Sequence, residues 1–136
     1  MTNEEQLKIL KQGVEVWNRW RQDNPEITPD LSELDLAHED FILLELSNGT
    51  FGSNSGLIII NMSQANFRNV DFSGASLSNV DFQESDFSGA TLTRVNMIYS
   101  NLSKANLSKS NLSFSLLDDA DFSYSDLSET KIAKIP

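Results

Sequence analysis

The residue best suited to catalysis in this sequence is its single histidine. His38 lies beside Glu39 and Asp40. A nucleophilic triad needs such a base together with a nucleophile and an orienting acid. The chain has no second histidine and no cysteine, so it offers neither a spare base nor thiolate or histidine clusters for a metal ion. We therefore interpret His38 as part of a solvated loop.

A group of aspartates is the second candidate for chemistry. Asp118, Asp119 and Asp121 place three carboxylates within four residues, and Ca²⁺ prefers oxygen ligands of this kind. However, Asp121 fills a position that is often Asn or Asp along the chain, and no glycine loop surrounds the group. Asp86 and Asp126 could be paired for acid–base catalysis, but no cleft is implied. We predict no catalytic residue, no metal and no cofactor, so the chain is not expected to be an enzyme.

A repeat of five residues dominates the second half of the chain. Every fifth position from Leu57 to Ile132 is large and apolar, which gives sixteen repeats over residues 57–134. Two residues before each of these centres lies an uncharged residue, usually Ala, Ser or Val, and the residue between them is usually Asn or Asp. Helix faces recur every 3.6 residues and strand faces every 2, so neither explains a strict period of five. A chain that turns a corner every five residues does explain it.

The repeat also identifies a family. Segments such as Asn-Val-Asp-Phe, Ala-Asn-Leu-Ser-Lys and Ser-Asp-Leu-Ser resemble the A-(D/N)-L-x-x consensus of pentapeptide-repeat proteins. The resemblance covers residues 55–134. It implies an all-β solenoid, a right-handed quadrilateral β-helix with four repeats, or twenty residues, in each coil.

Stacking by twenties assigns the repeat centres to four walls of this solenoid. The predicted walls are Leu57, Leu77, Met97 and Leu117; Met62, Phe82, Leu102 and Phe122; Phe67, Phe87, Leu107 and Leu127; and Phe72, Leu92, Leu112 and Ile132. Each buried Leu or Phe contributes about 1.5–3 kcal/mol relative to exposure, so these side chains dominate the stability of the fold.

The N-terminal half follows the repeat less closely. Leu31 and Leu36 continue the period in a phase shifted by one residue, and we interpret 29–37 as the first repeats. Glu39 and Gly49 occupy the small inward position, so 38–56 is expected to be a degenerate coil or a loop. The predicted solenoid domain therefore comprises residues 29–136.

Residues 1–28 are predicted to form an amphipathic helix and a linker that cap the solenoid. Thr2 with Glu5 could form a capping box, and Asn24-Pro25 ends the helix. The apolar positions recur at helical spacing, namely Leu7, Leu10, Val14 and Trp17, with Ile9, Val16 and Trp20 widening the face. The stretch from Trp17 to Ser32 resembles a helical lead-in of cyanobacterial members of the family. A solenoid exposes the core and the strand edges of its first coil, and such a helix would cover both.

Four apolar residues depart from the polar pattern of the outward positions. Leu116 replaces the usual Asn or Asp, and Ile98 lies on the same wall one coil earlier. Phe114 and Tyr99 occupy the corners on either side of that wall. Clustered apolar residues on a surface of Ser, Asn and Asp indicate a contact site for a protein partner. Scattered surface hydrophobes or local packing would be the alternative interpretation.

Charge and composition limit the classes of partner. The net charge is −10: residues 1–56 carry four basic and eleven acidic groups, and residues 57–136 carry six and nine. Such an acidic chain repels nucleic acid, and no apolar run reaches the length of a membrane span. We expect a cytoplasmic protein-binding or scaffold module, a monomer unless its C-terminal ends pair. The resemblance implies one alternative, since some family members mimic duplex DNA and shield a topoisomerase.

Overall fold

Two helices and three short strands accompany the repeats. The computed structural model describes residues 1–36, 43–46 and 57–134, except for the side chains of 43–46 and 57–59. Helix α1 comprises Glu4–Lys11 and helix α2 comprises Val14–Asp23. The strands are β1 (Leu43–Leu46), β2 (Leu57–Asn61) and β3 (Val80–Asp81). They form one sheet in the order β1-β2-β3, antiparallel between β1 and β2 and parallel between β2 and β3.

The five-residue repeats stack as turns of twenty residues. Parallel bridges join outward positions that lie twenty residues apart, and they run in four series. The series are Ser76, Asn96 and Leu116; Asp81, Asn101 and Asp121; Asn66, Asp86, Asn106 and Asp126; and Asp71, Thr91, Asn111 and Lys131. Each repeat centre from Met62 to Leu112 donates its backbone N–H to the next turn, as in the 2.8 Å bond from Phe82 to the carbonyl of Asn101. We call each turn a coil, and we number the walls 1 to 4 in the order of these series.

A tight turn separates each wall from the next. The amide of Ser85, for example, donates to the carbonyl of Phe82, three residues earlier, over 3.0 Å. The second central residue of this turn is Glu84, with φ of 60°. A positive φ at that position is the geometry of a type II turn. The same position has a positive φ at every described corner, so a corner recurs every five residues along the repeats.

The interior of the coils is filled with the predicted repeat centres from Met62 to Leu112. In the last coil the prediction of burial was wrong for Leu127 and Ile132, which are exposed because no further coil covers them among the described residues. Phe67, Phe82 and Phe87 are fully buried, and their rings contact one another with centroids 5.0–6.0 Å apart. Buried serines fill small inward positions without leaving a polar group unpaired. The hydroxyl of Ser100, for example, donates to the carbonyl of Leu77 over 2.6 Å. The interior is therefore a packed core.

The first coil corrects one position in the predicted walls. Leu36, rather than Leu57, lies above Leu77 on wall 1: Asp35 bridges to Ser76, and the amide of Ser76 donates to the carbonyl of Leu34. The backbone of Leu57 instead pairs with Leu46 across β1 and β2. Leu57 is in phase with the repeat, but Leu36 occupies its predicted place in the coil, and Leu57 lies in β2. On wall 4, Asp30 bridges to Asp71, so Leu31 extends that wall by one layer.

Residues 38–56 were predicted to be an irregular coil or a loop, and the structure describes only 43–46 of them. Those four residues form β1, which pairs antiparallel with β2 as in a hairpin. The remaining residues of this segment, including His38, Glu39 and Asp40, lie outside the described residues.

The N-terminal segment forms two helices instead of the single predicted helix. Gly13 separates them with φ of 108°, a conformation that strongly favours glycine. The N-cap of α1 is Asn3, whose side chain accepts from the amide of Gln6 over 3.1 Å. Thr2 was the predicted cap, but its hydroxyl donates to the carbonyl of Ser32. The correct cap lies one residue later because Asn is at least as good a cap as Thr.

Side chains of α2 pair with the exposed backbone edge of the first coil. The indole N–H of Trp17 donates to the carbonyl of Asn66 over 2.7 Å. Asn18 accepts from the amide of Asn66 and donates to the carbonyl of Gln64. The buried ring of Trp17 also lies 5.9 Å from the ring of Phe67, so it extends the core of wall 3 by one layer.

Within the described residues, no helix has the length and apolar character needed to cross a bilayer.

Candidate protein-contact surface

The candidate surface lies on wall 1 and on the corner that precedes it. Leu116 follows Ser76 and Asn96 in the outward series of this wall. Phe114 lies at the preceding corner with φ of 63°, below Arg94, which occupies the same corner one coil earlier. Phe114 is 42% exposed and Leu116 is 54% exposed, so both present apolar area to solvent.

Leu116 lacks a side-chain hydrogen bond that most other repeats make. In the coil above, the side-chain oxygen of Asn96 accepts from the amide of Ile98 over 3.0 Å. The same bond joins Asn101 to Ser103 and Asp121 to Ser123. Leucine has no acceptor, so this local turn is not braced at Leu116. The leucine therefore costs the fold a hydrogen bond and exposes an apolar side chain.

Phe114 is held in place by a cation above its ring. The guanidinium carbon of Arg94 lies 5.7 Å from the centre of the Phe114 ring. The backbone amide of Phe114 also donates to the carbonyl of Ala133 in the last coil over 2.9 Å. An exposed aromatic ring fixed by such contacts loses little conformational entropy on binding, which suits it to anchor a partner.

Phe114 and Leu116 share a cavity at the C-terminal end of the stack. Its volume is about 330 Å³, and its lining also includes the repeat centres Leu112, which is buried, Leu117, which is half-buried, and Ile132, which is exposed. The cavity thus joins the exposed residues of wall 1 to the end of the core. Sequence reasoning did not assign Leu112, Leu117 and Ile132 to a surface because they occupy repeat centres, which are buried in earlier coils.

Ile98 and Tyr99, the other two predicted contact residues, lie outside this cavity. Ile98 is only half-buried on wall 1, one coil above the row of Leu116. Tyr99 is 42% exposed at the corner that follows the wall, and its backbone amide donates to the carbonyl of Asp118. The structure therefore brings Phe114 and Leu116 together and leaves Ile98 and Tyr99 at the margin.

The acidic residues follow the pattern of the repeat. Asp121 accepts from the amide and the hydroxyl of Ser123, and these hydrogen bonds lower the pKa of its carboxyl. Asp81 is buried on wall 2, and burial raises its pKa. Among the residues that the structure describes, no group of three or more His, Cys, Asp or Glu side chains is arranged to bind a metal ion.

Comparison with protein families gives one match. The family model described as pentapeptide repeats (8 copies) matches this chain twice, over residues 60–97 and 96–132. The match begins at β2, where the first bridge to the next coil also begins. A search of curated proteins gives no match.

Solved structures of similar proteins are also known. A pentapeptide repeat protein from the thylakoid lumen of Arabidopsis thaliana is 20% identical over 74% of this chain and 63% of its own, with a TM-score of 0.38. HetL, a pentapeptide repeat protein involved in heterocyst differentiation regulation in the cyanobacterium Nostoc sp., is 17% identical over 77% of this chain and 46% of its own, with a TM-score of 0.33. One from the cyanobacterium Cyanothece is 16% identical over 85% of this chain and 92% of its own, with a TM-score of 0.31. The chain thus spans less than two thirds of the first two relatives.

Proposed function

Because this chain belongs to the pentapeptide repeat family, we propose that it is a non-enzymatic protein-binding module whose contact surface contains Phe114 and Leu116. The proposal includes the finer features expected from the sequence: a right-handed quadrilateral solenoid over residues 29–136, a cap formed by residues 1–28, and a cytoplasmic location. Ile98 and Tyr99 would extend the same surface at its margin.

The exposed Leu116 carries the proposal. A residue that only supported the repeat would be Asn or Asp, since these complete the local turn and are well hydrated. Leu116 gives up both advantages, and it does so beside an aromatic ring fixed by Arg94 and a cavity of about 330 Å³. Contiguous apolar area on an otherwise polar surface is typical of a binding site. The partner should therefore present an apolar side chain that enters this cavity.

An affinity pull-down from native lysate tests the proposal. The bait variant Phe114→Ser/Leu116→Asn removes the apolar contact and restores the repeat pattern, so it should fold and lose the partner. Adding Ile98→Ser tests the margin of the surface separately. A matched control is Tyr124→Ser, because Tyr124 is an aromatic corner residue that is 89% exposed outside the cavity lining.

The expected result is one protein captured by the wild type and by Tyr124→Ser but not by the double variant. A photo-reactive residue placed at 116 should also crosslink to that protein, whereas one at 124 should not. Equal capture by the wild type and the double variant would show that this wall is ordinary surface.

A further inference from the structure

A second surface feature lies at the opposite end of the stack, where α2 meets the first coil. A cavity of about 220 Å³ is lined there by Arg21, Pro25, Asn66, Arg68 and Asn69. Two arginines thus line one small cavity in a chain whose net charge is −10. Pairing two cations in this way is unfavourable unless an anion lies between them.

Arg21 is the fixed part of this cavity. It is only 8% exposed, and its two terminal nitrogens donate to the backbone carbonyls of Arg68, over 2.7 Å, and Asn66, over 3.5 Å. Its Nε is buried and has no hydrogen-bond acceptor among the described residues. A buried donor without a partner is costly, and a buried charge without a counterion more so. Burial and the positive charge of Arg68 both lower the pKa of Arg21, whereas Asp86 raises it.

Asp86 does not neutralise the two arginines. Its carboxylate lies 3.9 Å from Nε of Arg68, and both side chains are more than one third exposed, so the pair is weak. One oxygen of Asp86 already accepts from the amide and the hydroxyl of Ser88. The cavity therefore retains a positive charge, and Arg68 can turn toward a ligand at the loss of only this weak ion pair.

The two asparagines add further donors. The side-chain oxygen of Asn66 accepts from the amide of Arg68, which leaves its NH₂ group for other contacts. The oxygen of Asn69 lies against Gly89, where a Cβ atom would be only 2.2 Å away. Neither NH₂ group has an acceptor among the described residues. Two guanidinium groups and two amide groups thus make the cavity rich in donors.

We propose that this cavity binds a compact oxyanion, a phosphate or carboxylate group, between Arg21 and Arg68. Arg21 supplies the fixed buried charge, Arg68 closes on the ligand from solvent, and Asn66 and Asn69 donate hydrogen bonds. Guanidinium groups suit oxyanions because their planar N–H donors can form paired, charge-assisted hydrogen bonds. This inference is independent of the protein-contact surface, which lies at the other end of the stack.

Nuclear magnetic resonance of the arginine Nε–H signals tests the proposal directly. The full chain is titrated with inorganic phosphate at constant ionic strength, with chloride as the compensating ion. The Nε–H signal of Arg21 should shift to saturation, together with the indole N–H signal of Trp17, which shares the carbonyl of Asn66 with Arg21. A parallel titration with acetate shows whether a carboxylate or a phosphate is preferred.

Two arginine variants separate specific binding from general attraction. Arg68→Gln should weaken the affinity for phosphate by roughly tenfold, because it removes one charge-assisted contact. Arg19→Gln makes the same charge change at an exposed position of α2 and should leave the affinity within about twofold, since screened surface charges act weakly. Arg21→Lys should also weaken binding, but it could loosen the cap, so Arg68→Gln is the decisive variant. Shifts that do not saturate with either anion, or equal effects of Arg68→Gln and Arg19→Gln, would overturn the proposal.

Discussion

At the scale of single residues, the outward Asn or Asp of each repeat braces the following turn through its side-chain oxygen. The bond recurs with little variation, from 2.7 to 3.2 Å between side-chain oxygen and backbone or hydroxyl donor in Asn66, Asp86 and Asn96. An outward position whose side chain has no such acceptor therefore lacks this local stabilisation, and a function other than support of the turn would explain the residue there. Leu116 is such a position on the candidate contact surface.

Leu116→Asn should stabilise the isolated protein while it removes partner binding. The new side chain should accept from the amide of Asp118, as Asn96 does from Ile98, and a net hydrogen bond contributes about 0.5–1.5 kcal/mol. Urea unfolding followed by circular dichroism measures the gain. Leu116→Ala is the control, since it removes the leucine without adding an acceptor and should bring no such gain. A Leu116→Asn protein no more stable than Leu116→Ala would contradict this account of the repeat.

Asp81 and Asp121 occupy the same wall and should respond in opposite ways to the same substitution. Burial raises the pKa of Asp81, so its contribution to stability is present at low pH and is lost as pH rises through that raised pKa. Hydrogen bonds from Ser123 lower the pKa of Asp121, so its contribution is present at neutral pH and is lost as pH falls. Asn occurs at the equivalent position in Asn61 and Asn101, so the amide fits this wall.

At neutral pH, Asp81→Asn should therefore increase the free energy of unfolding, and Asp121→Asn should decrease it. Both differences from wild type should shrink as pH falls below the ordinary range of aspartate. Urea titrations of the wild type and both variants at neutral and acidic pH measure these four differences in the free energy of unfolding. A shift of the same sign for both variants at neutral pH would show that the carboxyl environments do not differ as described.

At the scale of elements, α2 takes the place of a preceding coil. Its side chains make the hydrogen bonds to the first coil that the backbone of such a coil would otherwise make. Asn18 both donates to and accepts from backbone groups of the edge, as a β-strand residue would. Trp17 adds a buried ring and a donor to the same wall. An uncovered parallel edge invites pairing with other chains, so this arrangement protects the stack at that end.

Asn18→Ala should loosen this edge without unfolding α2. The amide of Asn66 would lose its 2.7 Å acceptor, and we expect its hydrogen exchange to accelerate roughly tenfold, the equivalent of one net hydrogen bond. Gln22→Ala removes an exposed amide side chain from the same helix and should leave this exchange rate unchanged. Equal protection of Asn66 in both variants would mean that the side chain of Asn18 does not protect this amide.

The period of five determined most of the coil in advance, because it predicted the burial of each repeat centre from Met62 to Leu112. The period could not predict that Leu57 lies outside its wall. Leu57 keeps the phase of the repeat, but Leu36 fills its predicted position. The break at Gly13 was also missed, since the apolar spacing of Leu10, Val14 and Trp17 continues across it. For the proposed contact surface, the departures from the polar outward pattern pointed to Ile98, Tyr99, Phe114 and Leu116, whereas the cavity beside Phe114 and Leu116 depends on how the last coils pack.

At the scale of the whole molecule, the distribution of charge favours the proposed protein-binding module over a DNA mimic. The regular coils over residues 57–136 carry nine acidic and six basic groups, a net charge of −3. Four coils at the usual strand spacing span about 19 Å. Duplex DNA carries one charge in every ~1.7 Å of its axis, so a mimic of that length would need roughly eleven. Basic residues also lie next to acidic ones at the corners, since Lys104 follows Glu84 and Lys109 precedes Glu129 by one coil.

We therefore expect the protein neither to inhibit nor to protect a DNA gyrase in a supercoiling assay, even in molar excess over the enzyme. The measurement compares the wild type with Asp118→Asn/Asp119→Asn/Asp121→Asn, which removes the densest acidic run while leaving the repeat centres intact. Protection by the wild type that is lost in this variant would restore the mimic hypothesis, since a short acidic run would then suffice for recognition. Inactivity of both proteins is the expected result, because coils whose net charge is far below that of DNA do not reproduce its field.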